Sequence, residues 1–224
     1  MLKGVNLKVP QGAFMALLGS SGTGKTTLLK LLAGLLWPSQ GRVEVLGHRL
    51  DGAVPRTLRA QIGYIPQQLG LVRNMTALEN VLLGSLARRR GPLTLMGLFP
   101  REETDRAHAC LASLGLAEKA RERVQSLSGG QRQRVAIART LLQRPNLVLA
   151  DEFVSDLDLP LAAELLETVR EVARREGITF LMAMHELPLV QRFSDEAAVL
   201  NKGSIVHQGP AQDLTLSHLE EMLQ

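Results

Sequence analysis

Residues 14 to 26 read Phe-Met-Ala-Leu-Leu-Gly-Ser-Ser-Gly-Thr-Gly-Lys-Thr, a short apolar run followed by a glycine-rich loop. The segment Gly19 to Thr26 fits the phosphate-binding pattern G-x-x-x-x-G-K followed by Ser or Thr. A helical pattern begins at about Lys25 and runs to Leu36, so the loop stands between a strand and a helix, as the pattern requires. The alternative, a flexible surface turn, does not account for these flanking elements. The sequence therefore predicts a strand, a phosphate loop and a helix.

The residue types in the phosphate loop suit a chain of phosphate groups. Glycines let backbone N–H groups converge on phosphate oxygens, and the helix start adds positive potential. The Lys25 ammonium reaches the outer phosphates, and the Thr26 hydroxyl is a ligand for Mg²⁺. The residues expected to contact the nucleotide are Gly19, Ser20, Ser21, Gly22, Thr23, Gly24, Lys25, Thr26 and Thr27.

A second apolar run, Leu147 to Ala150, ends in the acidic pair Asp151 and Glu152. Such a run is typical of a parallel strand buried on both faces, and ligands of α/β sheets bind at the carboxyl ends of these strands. We expect Asp151 to hold Mg²⁺, directly or through water, and Glu152 to orient or deprotonate an attacking water. A helix cap or a solvated loop is the alternative, which the phosphate loop disfavours.

A glycine-rich segment, Leu-Ser-Gly-Gly-Gln at 127 to 131, opens a helix predicted to run to about Gln143. Ser128 suits an N-cap, and Gly129 and Gly130 leave backbone N–H groups uncovered, which makes a second anion-binding helix start. From these residues alone, an ordinary serine cap is the alternative.

The composition excludes several classes of protein. The 224 residues are 45% hydrophobic and 21% charged, near the globular average. Five Phe, one Trp and one Tyr are too few to favour recognition of single strands by base stacking. The only cysteine, Cys110, excludes an internal disulfide and fits a reducing cytosol. No apolar stretch reaches the ~18 residues of a membrane span.

Strands and helices alternate along the chain, which predicts an α/β sheet with helices on its faces. Further strands are predicted at Arg42 to Leu46, Gln61 to Ile65, Thr179 to Met184, Ala197 to Leu200 and Ser204 to Val206. Between about 76 and 127 the residues are mostly Leu, Ala, Arg and Glu at helical spacing, with breaks at Gly91-Pro92 and at Phe99-Pro100. We interpret the chain as one domain with a catalytic core, 1–75 and 128–224, and an inserted helical subdomain, about 76–127.

The order and spacing of these motifs resemble the ATP-binding subunit of an ABC transporter across nearly the whole chain, and residues 127 to 131 spell its signature, LSGGQ. The resemblance implies a P-loop NTPase (RecA-like) core with a mostly parallel sheet and an ATP hydrolase that acts as a transport motor. It also implies that two cassettes pack head to tail on Mg-ATP. Ser128, Gly129, Gly130 and Gln131 would then contact the ATP held by the partner.

Three weaker matches support the resemblance. Gln67 falls at the catalytic glutamine of the Q-loop, which contacts Mg²⁺ and the water, with Gln68 as the alternative. His185 falls at the catalytic switch histidine, although a lone histidine at a strand end is otherwise structural. Ser155 to Asp158 resembles the D-loop, which crosses the dimer interface, and Asp158 equally suits a helix start.

Two departures from the family pattern bear on the site. The family has Pro-Thr after its acidic pair, whereas this chain has Phe153 and Val154, which lose a rigid turn and a hydroxyl. The family's adenine-stacking aromatic lies well upstream of the phosphate loop, whereas the one aromatic before Gly19, Phe14, lies in the predicted strand. We therefore expect the N-terminal β part, with its adenine platform, to be truncated and ATP binding to be weakened.

The segments Leu71 to Gly84 and Leu98 to Arg101 are similar to phosphonate-importer ATPases. The resemblance implies import of a phosphonate or related oxyanion, with importers of other small solutes as the alternative. The implied partners are a second, identical cassette, transmembrane permease subunits that grip the helical insertion and, indirectly, an extracytoplasmic solute-binding protein. The implied location is cytoplasmic, on the inner face of the cell membrane.

Two other classes of function compete with this interpretation. A non-transport ABC ATPase acting on DNA or ribosomes would suit the basic pI of about 9.6, but its typical coiled-coil or zinc insertions are missing from the sequence. A phosphate-loop kinase or GTPase is disfavoured by the LSGGQ segment and His185. We therefore expect no nucleic-acid partner.

Overall fold

The computed structural model describes residues 2–89, 91, 94 and 96–223, and Pro92, at one of the predicted helix breaks, lies outside this set. The strands are β1 Phe14–Leu18, β2 Glu44–Val45, β3 His48–Arg49, β4 Ile62–Ile65, β5 Leu147–Asp151, β6 Thr179–Ala183, β7 Glu196–Asn201 and β8 Ser204–Pro210. The α-helices are α1 Lys25–Leu32, α2 Arg56–Arg59, α3 Ala77–Leu82, α4 Arg101–Ser113, α5 Gly129–Leu142, α6 Leu159–Glu176, α7 Leu187–Phe193 and α8 Leu216–Leu223. Short 3₁₀ turns cover Leu83–Ala87, Ala117–Lys119, Val124–Ser126 and Ala211–Asp213. Within the described residues, no helix combines the length and apolar character that crossing a membrane requires.

Six strands form one sheet in the order β4-β5-β6-β1-β7-β8. The first five strands of this order run parallel, and β8 pairs antiparallel with β7 at the edge. The predicted α/β fold with a mostly parallel sheet is confirmed. Because parallel strands end at the same edge, the carboxyl ends of β4, β5, β6 and β1 lie side by side.

The strand β1 is buried along its whole length between two apolar cores. Phe14, Ala16 and Leu18 belong to the core that includes the buried faces of α5 and α6. Met15 and Leu17 belong to the core on the other face, which includes the buried side of α1. Burial on both faces explains why β1 reads as a continuous apolar run rather than an alternating one.

The chain between β4 and β5 is largely helical. Helix α3 begins with a capping box, in which Thr76 Oγ1 accepts from the Glu79 N–H at 3.1 Å and the Glu79 carboxylate accepts from the Thr76 N–H at 2.7 Å. Glu103 of α4 is fully buried and pairs with Arg88 and Arg89 at 3.3 and 3.1 Å. Apolar residues of α3 and α4 share one core with α5 and β1, and the two helices pack against α5, which itself contacts β4.

Helix α1 ends at Leu32, four residues before the predicted end at Leu36. Gly34 adopts a left-handed backbone with φ of 65°, and the N–H groups of Leu35 and Leu36 both bond to the carbonyl of Lys30. This arrangement closes the helix. The apolar periodicity continues past the glycine, which is why the sequence predicted a longer helix.

The predicted strand from Arg42 to Leu46 is also shorter in the structure, where β2 holds two residues and pairs with β3, which the sequence analysis missed. Leu46 and Gly47 connect the two strands with φ of 52° and 75°. Tight two-residue hairpins need this left-handed backbone at both positions. Because Leu46 is apolar, the sequence pattern predicted this turn residue as part of the strand.

The packing of the insertion on α5 leads to a prediction about stability. A Cβ at Gly84 would overlap the main-chain carbonyl oxygen of Arg139. Gly84→Ala is therefore expected to lower the free energy of unfolding by about 2 kcal/mol, because backbone must shift to admit the methyl group. Gly52→Ala is the matched control, since that position has open space, and its effect should stay within about 0.5 kcal/mol. Equal stability of the two variants in urea denaturation would contradict the prediction.

Candidate active site

The phosphate loop follows β1 and leads directly into α1. Gly22 and Gly24 have left-handed backbones, with φ of 80° and 112°. A Cβ at Gly19 would overlap the carbonyl oxygen of Leu200 on the neighbouring strand β7. The backbone path itself therefore requires these glycines. Gly24 is the N-cap of α1, so the uncovered N–H groups of the helix start lie at the end of the loop.

The remaining loop residues differ in exposure. Ser20 and Ser21 are exposed at the surface, whereas Thr23 and Thr27 are partly buried. The Thr23 hydroxyl donates to the Ser20 carbonyl at 2.9 Å, which closes the loop on itself. The exposed serines and Gly22 form the part of the loop that a ligand reaches from solvent.

Lys25 is the buried cation of the site, with 4% of its surface exposed. Its ammonium donates to the carbonyls of Gly19 and Ser20 at 2.8 and 3.3 Å, and it lies 3.4 Å from Oε1 of Glu152. A buried ammonium needs such partners, because desolvation without them is costly. The loop carbonyls and the Glu152 carboxylate thus fix the position of this positive charge.

Strand β5 ends in the acidic pair. Asp151 is buried, and its Oδ1 accepts a hydrogen bond from the Thr26 hydroxyl at 3.1 Å. Burial raises the pKa of the Asp151 carboxyl and the charge of Glu152 adds to this effect, whereas the hydrogen bond from Thr26 opposes it. The structure therefore brings together Thr26 and Asp151, two of the three side chains that the sequence analysis assigned to Mg²⁺.

Glu152 leaves the strand with φ of 50°, a left-handed conformation that is uncommon outside glycine. Its N–H donates to the carbonyl of Ala183 on β6 at 3.2 Å. Its carbonyl accepts from both the N–H and the hydroxyl of Ser155, at 3.2 and 2.8 Å. A conformation that costs on the order of 1 kcal/mol is thus held by three hydrogen bonds.

Phe153 and Val154, which replace the family's Pro-Thr, are buried in the apolar core shared with α5 and α6. The loss of the proline and the hydroxyl predicts a less rigid turn after Glu152, and this stays a prediction. In the structure, both side chains pack into the core at the turn that follows Glu152.

Three side chains from separate parts of the chain meet the Glu152 carboxylate. His185 Nε2 lies 2.5 Å from Oε1, Lys25 Nζ lies 3.4 Å from the same oxygen, and the Gln67 amide donates to Oε2 at 3.4 Å. Gln67, rather than Gln68, makes this contact. The four residues follow the carboxyl ends of β5, β6, β1 and β4, so the sheet order explains the meeting.

The charges around Glu152 keep it ionised. Burial by itself would raise the pKa of Glu152, but the hydrogen bond and charge of His185, together with the Lys25 ammonium, lower it overall.

Tyr64 on β4 was missed by the sequence analysis. Burial, and secondarily the charge of Asp151, raises its pKa to about 12, and its hydroxyl has no partner among the described residues. The sequence of β4 does not indicate that Tyr64 lies near Asp151.

The LSGGQ segment starts α5 with a second capping box. Ser128 Oγ accepts from the Gln131 N–H at 3.3 Å, and Gln131 Oε1 accepts from the Ser128 N–H at 2.9 Å. The two glycines differ, because Gly129 faces open space whereas a Cβ at Gly130 would lie 3.1 Å from Leu161 of α6. Among the described residues, no hydrogen bond or ion pair joins this segment to the phosphate loop.

Ser155 and Asp158 are both exposed on the segment between β5 and α6. Asp158 accepts from the Leu161 N–H at 2.9 Å, with Pro160 in the first turn, so it caps α6. This is the helix start that the sequence allowed, and its place at a dimer interface stays a prediction. A cavity of about 430 Å³ separates this segment from His185.

Comparison with known proteins assigns the family. The sequence profile described as "ABC transporter" matches residues 2–155. The phosphonates import ATP-binding protein PhnC of Thiobacillus denitrificans is 40% identical over 223 residues, which are 100% of this chain and 86% of that protein. Phosphonates import ATP-binding protein PhnC 2 of Pseudomonas syringae pv. syringae is 42% identical, over 96% and 81% of the respective chains.

Solved structures agree with the sequence comparison. The dimeric bacterial ABC transporter cassette MJ0796 superimposes with a TM-score of 0.83 at 30% identity, covering 95% of this chain and 91% of that one. A dimer of the same cassette in a post-hydrolysis state with ADP and Pi gives a TM-score of 0.82. These relatives do not favour a cassette that acts on DNA or ribosomes. The chain therefore belongs to the ABC transporter family and is one of its ATP-hydrolysing cassettes.

Proposed function

We propose that this chain hydrolyses Mg-ATP to drive import of a phosphonate or a related oxyanion through separate membrane subunits. The observation that carries the chemical part of the proposal is the meeting of Lys25, Gln67 and His185 on the Glu152 carboxylate. A carboxylate with a purely structural role needs fewer partners than the three that meet Glu152. Glu152 also lies beside the phosphate loop, where a structural role would not require it to be.

The phosphate loop from Gly19 to Thr27 binds the nucleotide in this proposal. The N–H groups at the start of α1 and the Lys25 ammonium supply positive charge to the phosphates. Lys25 already lies against the loop carbonyls, so it is held in place for this task and loses little side-chain freedom on binding.

Thr26, Asp151 and Gln67 would hold the Mg²⁺ ion. The Thr26 hydroxyl and the Asp151 carboxylate lie 3.1 Å apart, and both present the hard oxygen donors that Mg²⁺ prefers. The described residues contain no cluster of three His, Cys, Asp or Glu side chains suited to a metal. Mg²⁺ is usually held by one or two carboxylates, here Asp151, together with water and substrate phosphates. A bound ion would supply positive charge to the phosphates.

Glu152 acts as the residue that orients and deprotonates the attacking water. A base must be ionised at neutral pH, and a glutamate whose pKa lies below its ordinary value meets this condition. Its left-handed backbone and the contact with His185 fix the direction of the carboxylate. Gln67 and His185 complete the catalytic group, with His185 also placed to contact the terminal phosphate.

Ser128, Gly129, Gly130 and Gln131 act on ATP held by a second, identical chain. Ser128 and Gly129 are exposed, and nothing in the described residues ties this helix start to the phosphate loop of its own chain. A structural relative, MJ0796, is dimeric. We assign Ser155 and Asp158, which are also exposed, to the same interface.

The transport role is supported by relatives that are named phosphonates import ATP-binding proteins. We propose that the helical insertion, 76–127, grips permease subunits and that the chain works in the cytoplasm on the inner membrane face. An extracytoplasmic solute-binding protein would deliver the substrate to the permease. Neighbouring genes for a permease and a solute-binding protein would support this role, and a neighbourhood without either would count against it.

Lys25→Ala tests the phosphate loop. Loss of a charge-assisted contact should weaken ATP binding by about tenfold to a hundredfold, measured as Kd by calorimetry. Lys3→Ala is the matched control, because Lys3 is exposed and only its backbone is bonded, so its Kd should match the wild type. Unchanged affinity in Lys25→Ala would remove the loop from its assigned role.

Glu152→Gln tests the chemical step. The amide keeps the size of the side chain but is no base, so kcat for ATP hydrolysis should fall about 10²–10⁴-fold. The Kd for ATP should change less than about threefold, since Glu152 is not assigned to nucleotide binding.

Glu167→Gln is the control for this variant, because Glu167 lies exposed on α6 and its partner Arg192 is 3.8 Å away. Its kcat should equal that of the wild type. Wild-type turnover in Glu152→Gln would show that another group activates the water.

A further inference from the structure

The turn that carries Gln67 has an unusual backbone. Residues 66–70, called here the glutamine turn, include Leu69 and Gly70 with φ of 60° and 58°. The Leu69 N–H donates to the Pro66 carbonyl at 2.8 Å, and the Gly70 N–H donates to the Gln68 carbonyl at 2.7 Å. A left-handed leucine costs roughly 1–2 kcal/mol, so contacts from elsewhere must hold this shape.

Arg139 of α5 supplies those contacts. Its Nη1 donates to the Gly70 carbonyl at 2.7 Å and its Nη2 donates to the Leu69 carbonyl at 2.6 Å. The fork of a guanidinium can reach two adjacent carbonyls at once, which an ammonium cannot do with the same geometry. Both bonds are charge-assisted and therefore stronger than neutral ones.

Arg139 is itself fixed on both sides. At the end of α5 the Gln143 amide donates to the carbonyls of Ile62 and Ala60 at 2.8 and 3.2 Å, which joins the helix to β4. On another side, the lack of a side chain at Gly84 lets the 3₁₀ turn Leu83–Ala87 approach the Arg139 carbonyl. The backbone that carries the guanidinium is thus held in place on the side of β4 and on the side of the 3₁₀ turn.

We propose that Arg139 is a positioning residue for ATP hydrolysis. Arg139 holds the glutamine turn, and the turn keeps the Gln67 amide at the Glu152 carboxylate. The proposal rests on the catalytic role assigned to Gln67. Arg139 also connects α5, the helix that begins at Ser128, with Gln67 and the Glu152 carboxylate. A purely structural Arg139 would support folding without affecting Gln67 in particular.

Steady-state ATP hydrolysis separates these two roles. In Arg139→Gln the turn loses both bonds and Gln67 shifts, so kcat should fall about tenfold to a hundredfold. The KM for ATP should stay within about threefold, because the phosphate loop is not touched. Arg139→Lys keeps the charge and can bond one carbonyl, so its kcat should lie between those of Arg139→Gln and the wild type.

Arg134→Gln is the matched control on the same helix. Arg134 is also largely buried and donates to the Leu114 carbonyl at 3.2 Å and to Glu164 at 2.9 Å, but it does not contact the glutamine turn. Its kcat should remain within about twofold of the wild type.

A double-mutant cycle with Gln67→Ala gives the decisive result. If Arg139 acts through Gln67, Arg139→Gln lowers kcat when Gln67 is present and lowers it no further in Gln67→Ala. The same fold-loss in both backgrounds, or wild-type kcat in Arg139→Gln, would overturn the proposal. If Gln67→Ala alone hydrolyses ATP like the wild type, the role of Gln67 and this inference both fail. Loss of turnover in Glu152→Gln and a slower Gln67→Ala establish the proposed function independently of Arg139.

Hydrogen exchange tests the same inference without turnover. Amides of the glutamine turn should exchange faster in Arg139→Gln than in Arg134→Gln, and equal exchange would contradict the proposal. If Arg139→Gln does not fold, Gly70→Ala perturbs the turn while leaving Arg139 intact, because alanine is strained at φ of 58°. A lower kcat at unchanged KM in that variant supports the proposal, and wild-type kcat overturns it.

Discussion

The carboxylate of Glu152 is the group around which the catalytic part of the chain is arranged. Its contacts come from Lys25, Gln67 and His185, which are far apart in sequence. The parallel order β4-β5-β6-β1 brings these residues together, because each follows the carboxyl end of one of four adjacent strands. Any change in strand order or direction would separate them. The fold and the chemistry of the site are therefore consequences of the same pairing pattern.

The sequence predicted the parts of this arrangement that depend on local chemistry. The left-handed glycines of the phosphate loop, the buried strand before Asp151 and the serine cap at Ser128 all carry patterns that short windows reveal. Position in the family pattern favoured Gln67 over Gln68, and the path of the turn brings Gln67 to the Glu152 carboxylate.

The features that sequence reasoning missed depend on backbone contacts between distant segments. Arg139 reaches main-chain carbonyls, which every residue has, so no partner residue marks the contact. The left-handed Leu69 carries no glycine signal. The early end of α1 has a local origin instead, because the left-handed Gly34 stops the helix while the apolar spacing continues past it. The burial of Phe153, at the position where the family has proline, is likewise visible only in the folded chain.

The proposed motor requires two copies of this chain to close on Mg-ATP, with the helix start at Ser128 facing the phosphates bound by the partner. The most direct test is the solution mass of Glu152→Gln by light scattering, with and without Mg-ATP, because this variant should bind ATP without consuming it. We predict a monomer of about 24.4 kDa without nucleotide and a doubled mass with it. A mass that stays monomeric when calorimetry shows the ATP site to be filled would contradict the account.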